Sequence, residues 1–251
     1  MIEFSNISAG YEGTEILKGI SFTALQGQIT TLIGPNGCGK TTLLRAAARQ
    51  LPLSGGEILL NGQAIDHYER KEFARLAAFM PQVRDIPSIT VRALVTHGRF
   101  PYLGLSRQLR SEDKEAVGYA MESTGVADWA DRDLRELSGG ERQRVYIAMV
   151  LAQGTEVIFL DEPTTYLDLN HQFELLNLIH ELNTRGKTIV MVLHDLSHAL
   201  RYSHKIALME AGRLVDFGEP QKLFENDEIG RVFHVHTHKT VDGYYFTPQD
   251  R

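Results

Sequence analysis

The stretch Gly34-Pro35-Asn36-Gly37-Cys38-Gly39-Lys40-Thr41 follows the pattern G-x-x-x-x-G-K-[ST]. Ahead of it, Thr30-Thr31-Leu32-Ile33 reads as a buried strand. Behind it, Lys40 to Leu51 has helix-forming composition, with Leu43, Leu44, Ala47 and Ala48 available for one face. A glycine-rich turn between strand and helix lets main-chain N–H groups converge on an anion, and the helix N-terminus adds positive potential. Gly34, Asn36, Gly37, Cys38, Gly39, Lys40, Thr41 and Thr42 are thus the candidate phosphate-binding residues, with Lys40 reaching the β/γ oxygens and the Thr41 hydroxyl placed to ligate Mg²⁺. With glycine at about 7% of residues, the bare pattern arises by accident in roughly one chain of this length in a hundred. The strand and helix around it make an accident rarer still. Cys38 sits at a variable position of the loop. A helix N-terminus lowers thiol pKa and so admits a reactive thiol; a small residue that fits the loop is the plainer reading.

Downstream, Val157-Ile158-Phe159-Leu160-Asp161-Glu162 is an apolar strand ending in two carboxylates. Such a strand aims its last residues into the ligand crevice of an open α/β sheet. Asp161 suits Mg²⁺, directly or through water, and Glu162 suits orienting or deprotonating an attacking water. Taken alone, such a pair is usually a solvated strand end; the phosphate loop upstream argues against that here. Between this strand and another at Thr188 to Leu193, Asn170 to Asn183 reads as an amphipathic helix, with Phe173, Leu176, Ile179 and Leu182 at helical spacing and Gly186 just past its end. Strand–helix–strand alternation predicts an α/β fold with a mainly parallel sheet. At the N-terminus, Ile2-Glu3-Phe4 and Ile20-Ser21-Phe22-Thr23-Ala24 read as short strands separated by glycine-containing turns. From Asp85 to about Gln153 the chain looks helical, broken at Pro87, Pro101 and Gly98–Gly104, and forms an insertion into that fold.

Composition limits the partners. Lys and Arg total 26 against 32 Asp and Glu, a net charge of −6, which argues against nucleic acid as a partner. No apolar run approaches the roughly 18–20 residues that span a bilayer, and Met1-Ile2-Glu3-Phe4 lacks a secretion signal. The single cysteine rules out an intrachain disulfide and suits a reducing compartment.

Leu137-Ser138-Gly139-Gly140-Glu141 opens a helix that continues through Arg142-Gln143-Arg144-Val145-Tyr146-Ile147-Ala148. By itself it is a capping box, Ser138 as cap and Glu141 three residues on. Its place between the phosphate loop and the Asp-Glu strand, at the end of a helical insertion, resembles the ABC (ATP-binding cassette) ATPase family, whose defining signature it matches. Other elements follow in family order: Tyr11 matches the aromatic stacked on adenine, and Gln82, in Met80-Pro81-Gln82, matches the glutamine linking the active site to the helical subdomain. Thr165-Tyr166-Leu167-Asp168 matches the loop facing the opposite subunit, and His194 the histidine at the γ-phosphate. Many family members carry a small residue where Tyr166 stands.

The resemblance covers nearly the whole chain and implies one nucleotide-binding domain over 1–251. That domain would have a RecA-like P-loop core, an N-terminal antiparallel β subdomain and a helical signature subdomain at 85–153. It implies ATP and Mg²⁺ as ligands, Gln82 among the metal-site residues, and Glu162, His194, Gln82 and Lys40 as the catalytic group. It implies, further, a homodimer in which Ser138, Gly139, Gly140 and Asp168 of one copy close on nucleotide held by the other. Val91-Arg92-Ala93-Leu94-Val95-Thr96-His97-Gly98-Arg99-Phe100-Pro101, Pro163 to Asp168, and His194-Asp195-Leu196-Ser197-His198-Ala199 resemble the subunits that drive uptake of iron–siderophore, haem or cobalamin complexes. The implied partners are transmembrane permease subunits and, indirectly, an extracytoplasmic substrate-binding protein, with this chain peripheral on the cytoplasmic face of the inner membrane. A soluble ABC ATPase of the cluster-assembly type is the competing reading. His234, His236 and His238 alternate, so a strand would place them on one face; a metal site and a solvated edge strand are the two readings.

Overall fold

The computed structural model describes residues 1–82, 86–104, 108–241 and 243–249. The chain opens with β1 (Ile2–Tyr11), β2 (Thr14–Ala24), β3 (Ile29–Ile33), α1 (Lys40–Ala47), β4 (Gly55–Leu60) and β5 (Gln63–Ala64). Next come α2 (Arg70–Leu76), β6 (Ala77–Met80), α3 (Val91–His97), α4 (Ser111–Ser123), α5 (Gly139–Ala152), β7 (Val157–Asp161) and α6 (Leu169–Thr184). The C-terminal part supplies β8 (Thr188–Val192), α7 (Leu196–Tyr202), β9 (Lys205–Glu210), β10 (Arg213–Gly218), α8 (Pro220–Glu225), α9 (Glu228–Phe233), β11 (Val235–Lys239) and β12 (Tyr244–Pro248). The chain divides into two compact units, Met1–His67 with Thr188–Arg251, and Tyr68–Lys187.

In the first unit, β1 lies between β2 and β4 in an antiparallel sheet that β5 extends. Alternation puts Ile2 and Phe4 inside and, past an irregularity at Asn6 (φ 53°), Ile7 and Ala9, and the Phe4 ring stacks on Phe22 at 4.4 Å. The strands expected at Ile2–Phe4 and Ile20–Ala24 are thus the paired ends of a long hairpin, Ile2 opposite Ala24. The second layer runs β10-β9-β3-β8, with β3 parallel to both β8 and β9. Every residue of β3 and of β8 is buried, the continuous burial of parallel strands covered on both faces. The helix after the phosphate loop ends at Ala47 rather than Leu51, because Arg49 takes a left-handed conformation (φ 56°) that no helix continues.

His234 stands in the left-handed position that ends α9, outside the strand that holds His236 and His238. The His238 ring stacks on Tyr245 at 4.6 Å, and its Nε2 lies 2.9 Å from Thr247 Oγ1. Among the described residues no group of three or more His, Cys, Asp or Glu is arranged to hold a metal ion.

In the second unit, β6 and β7 pair in parallel, Met80 opposite Leu160. Helix α5 buries Val145, Tyr146, Ile147 and Ala148 and packs against α3 and α4. The helical stretch expected from Asp85 to Gln153 contains α3, α4 and α5; Asp85 itself lies outside the described residues. One ion pair ties this bundle together. Arg99, 8% exposed, donates to Asp113 Oδ1 at 2.9 Å and to the Ala152 carbonyl at 2.8 Å, the orphan end of α5, and its guanidinium lies 3.8 Å from the Tyr102 ring centre.

Burial pushes the Asp113 carboxyl up, but the Arg110 N–H and the Arg99 side chain outweigh it and hold it below the ordinary range. A carboxylate held low stabilises the fold above its unfolded pKa of about 3.9 and loses that contribution as pH falls through the folded value. We expect Arg99→Met to leave a buried carboxylate without its charge partner and to destabilise the protein by about 3 kcal/mol, read by urea unfolding at pH 7. An unchanged midpoint contradicts the assignment.

Candidate functional site

The phosphate loop connects β3 to α1. Gly34 has φ 150°, and a Cβ there would lie 2.1 Å from the Met209 carbonyl oxygen and 2.7 Å from Cys38 Sγ, so only glycine fits. Lys40 is 5% exposed, and its Nζ donates to the carbonyls of Gly34 at 2.7 Å and Pro35 at 3.0 Å, which folds the loop around the ammonium. Helix α1 follows Gly39, which gives it no side-chain cap, and its N-terminus carries the partial positive charge that favours an anion. Cys38 is buried; burial pushes its thiol up, against an opposing pull from Lys40, and thiolate character is suppressed. That agrees with the small-residue reading of Cys38.

His194 joins this loop through strand register. Leu32 pairs with Val192, and Gly34 and His194 each stand two residues beyond that pair, at neighbouring strand ends. The His194 side chain is exposed there. Tyr11 ends β1 and is 39% exposed, a ring with an open face.

Register works in the same way in the other unit. Gln82 and Glu162 each lie two residues past the paired Met80 and Leu160. Gln82 Nε2 donates to Glu162 Oε2 at 2.8 Å, and Thr165 Oγ1 donates to the same oxygen at 3.1 Å. With its amide NH₂ so engaged, Gln82 presents Oε1 as an acceptor. Glu162 has φ 52°, a left-handed conformation that is uncommon for a non-glycine residue and concentrates at functional sites. Asp161 ends β7 at 1% exposure.

Ser138 caps α5. Its Oγ accepts from the Glu141 N–H at 3.3 Å while Glu141 Oε2 accepts from the Ser138 N–H at 2.7 Å. That bond holds the Glu141 carboxyl below its usual range. The Ser138 O–H and the N–H groups of Gly139 and Gly140 are the donors such a start offers to an anion. A Cβ on Gly140 would lie 2.5 Å from His171 Cδ2, which packs beneath the turn. Asp168 is the N-cap of α6: Oδ1 accepts from the His171 N–H at 2.9 Å and Oδ2 lies 2.7 Å from His171 Nδ1, which keeps the carboxyl low. Tyr166, at φ 65°, is 84% exposed. Gln82, Gly139, Gln143, Glu162, Thr165 and Tyr166 share the lining of a cavity of about 530 Å³.

Sequence reasoning missed Gln143 and His171 as site residues, and it read Thr165 as part of the interface loop without its bond to Glu162. Only Gln143 carries a signal: it stands four residues after Gly139, one turn on along the same helix face.

A glycine-rich strand–loop–helix, a buried strand ending in Asp-Glu and a second anion-facing helix start make up a nucleoside-triphosphatase of the P-loop class. The family model described as ABC transporter matches residues 17–165. The iron(3+)-hydroxamate import ATP-binding protein FhuC of Bacillus subtilis (strain 168) is 43% identical over 238 residues, covering 94% of this chain and 88% of that protein. The ferric enterobactin transport ATP-binding protein FepC of Escherichia coli (strain K12) is 45% identical over 230 residues, 90% and 84% of the two chains. Among solved structures, cbiO1 of Clostridium perfringens, part of the ABC transporter complex cbiONQ, superposes with TM-score 0.77 at 29% identity, covering 92% of each chain. The chain belongs to the ABC transporter family, as an ATP-hydrolysing cassette. Among the described residues no helix is long and apolar enough to cross a membrane.

Proposed function

We propose that this chain is the energy-coupling subunit of an importer for an iron chelate (siderophore or haem) or cobalamin. It works as a homodimer beneath a pair of permease subunits, peripheral on the cytoplasmic face of the inner membrane. An extracytoplasmic binding protein delivers the cargo. The names of the relatives, importers of iron hydroxamates and of ferric enterobactin, support the cargo class and favour transport over a soluble cluster-assembly role. Positions 1–251 act as one nucleotide-binding domain into which the helical segment 85–153 is inserted.

One observation carries the two-copy mechanism: the described residues include two glycine-led helix starts of the kind that receives an anion, at Lys40 and at Gly139. We assign them to different copies of the chain. The loop Gly34, Asn36, Gly37, Cys38, Gly39, Lys40, Thr41 and Thr42 cradles the phosphates of ATP, Tyr11 stacks on adenine, and His194 meets the γ-phosphate. Ser138, Gly139, Gly140 and Asp168 of the second copy then close on the same nucleotide. Thr41, Gln82 and Asp161 offer a hydroxyl, an amide oxygen and a carboxylate, the hard oxygen donors that Mg²⁺ takes together with waters and substrate phosphates. Bound there, Mg²⁺ neutralises charge developing on the phosphate oxygens. Glu162 takes the proton of the attacking water, and Gln82 and Thr165 hold its carboxylate in place.

Closure follows because ATP contacts more donors in the closed dimer than in the open one, and hydrolysis removes that difference. Ser138→Arg tests this: a guanidinium in place of the small cap blocks closure while each copy still takes nucleotide. We expect fluorescent ATP to bind within about threefold of wild type, with no ATP-dependent doubling of mass in light scattering. A variant that doubles normally removes the signature turn from the interface.

A further inference from the structure

The signature helix is bonded directly to the turn that carries Glu162. Gln143 Nε2, half-buried on the first turns of α5, donates to the Pro163 carbonyl at 2.6 Å. Proline has no N–H, so this carbonyl is the single main-chain hydrogen-bonding group of the residue that follows Glu162. Glu162 itself is left-handed, and a turn in such a conformation persists only where its surroundings hold it. A second bond of the same kind, Gln172 Nε2 to the Leu167 carbonyl at 2.9 Å, anchors the far end of the loop on α6. The near end is therefore anchored on α5. Gly139 and Gln143 are one turn apart on one face of that helix and line the same cavity as Glu162. A helix is stiff over one turn, so a displacement of Gly139 reaches Gln143 undiminished.

We propose that Gln143 is a positioning residue that couples engagement of this chain's signature turn to the placement of its own Glu162. The inference rests on the two-copy reading above, in which the signature of one copy closes the nucleotide site of the other. When a chain's Ser138–Gly140 turn docks on the partner's nucleotide, α5 shifts as a body and the Gln143–Pro163 bond sets the orientation of the peptide next to Glu162. Each site then responds to the occupancy of the other, and hydrolysis by the pair is cooperative in ATP.

The experiment compares phosphate release against ATP concentration for the wild-type chain, Gln143→Leu and Gln143→Glu. Light scattering of the Glu162→Gln chain with ATP runs alongside. Leucine keeps the bulk and removes the donor; glutamate sets an acceptor against an acceptor. We expect a wild-type Hill coefficient clearly above one. In Gln143→Leu we expect a Hill coefficient near one, kcat lowered about tenfold, and half-saturating ATP within about twofold of wild type, a loss confined to the transition state. Gln143→Glu should be slower than Gln143→Leu, because it adds repulsion to the lost bond. A residue that served stability alone would lower the unfolding temperature and leave the Hill coefficient in place. Wild-type cooperativity and kcat in Gln143→Leu, or a non-cooperative wild type that still forms an ATP-dependent dimer, overturns the coupling. No dimer in any ATP concentration overturns the two-copy reading itself.

Discussion

Glu162→Gln binds ATP as wild type does and loses hydrolysis by about a thousandfold, within the range a positioned general base contributes. The substitution isolates the base because it spares the geometry. The oxygen that accepts from Gln82 at 2.8 Å and from Thr165 at 3.1 Å can be supplied by the new amide, so the left-handed turn keeps its supports. What disappears is the capacity to take a proton. Phosphate release under single-turnover conditions reads the chemistry, and equilibrium binding of a fluorescent nucleotide reads the cradle. Closed dimer should accumulate, since the step that reopens it is gone. Turnover at the wild-type rate would remove Glu162 as the base and leave Asp161, or water alone, to account for hydrolysis.

Lys40→Ala acts on the other half of the reaction. The ammonium holds the Gly34 and Pro35 carbonyls at 2.7 and 3.0 Å and carries the positive charge of the loop. A phosphate oxygen competes for those donors favourably, because its negative charge adds Coulomb attraction that a neutral carbonyl lacks. Removing the side chain deletes one or two such bonds of about 1.5–3 kcal/mol each and loosens the loop that aims the N–H groups. We expect ATP affinity to fall about a hundredfold or more, measured by calorimetry with Mg²⁺ present. Undiminished affinity would place the nucleotide somewhere other than this loop.

The parts legible in the sequence are those governed by short-range chemistry. The phosphate loop, the all-buried strand Val157–Asp161, the Ser138–Glu141 box and the helix opening at Leu169 each declare themselves within a few residues. Residues 55–80 declared nothing, although they hold β4, β5, α2 and β6. Strand β4 begins with two glycines and is a strand only because Phe4 pairs with Ile58. The four residues of β6, Ala-Ala-Phe-Met, favour a helix by propensity and extend because Ala77 to Met80 lie along Val157 to Leu160. The same pairing, across eighty positions, creates the Gln82–Glu162 hydrogen bond. Family order placed both residues near one reaction; only register makes them neighbours. Gln143 and His171 stayed hidden for a related reason, since a glutamine or histidine on a helix says nothing of what it meets across the bundle.

The packing of Gly34 bears on how genetic screens of such proteins are read. Its Cα faces the Met209 oxygen, and Met209 pairs with Leu214 in the neighbouring hairpin. Any larger side chain at position 34 has to push the loop off β9 before it can disturb a phosphate. A null allele there would therefore report first on how this loop assembles against its neighbouring strand, and cellular protein level has to be measured before ATP affinity is blamed.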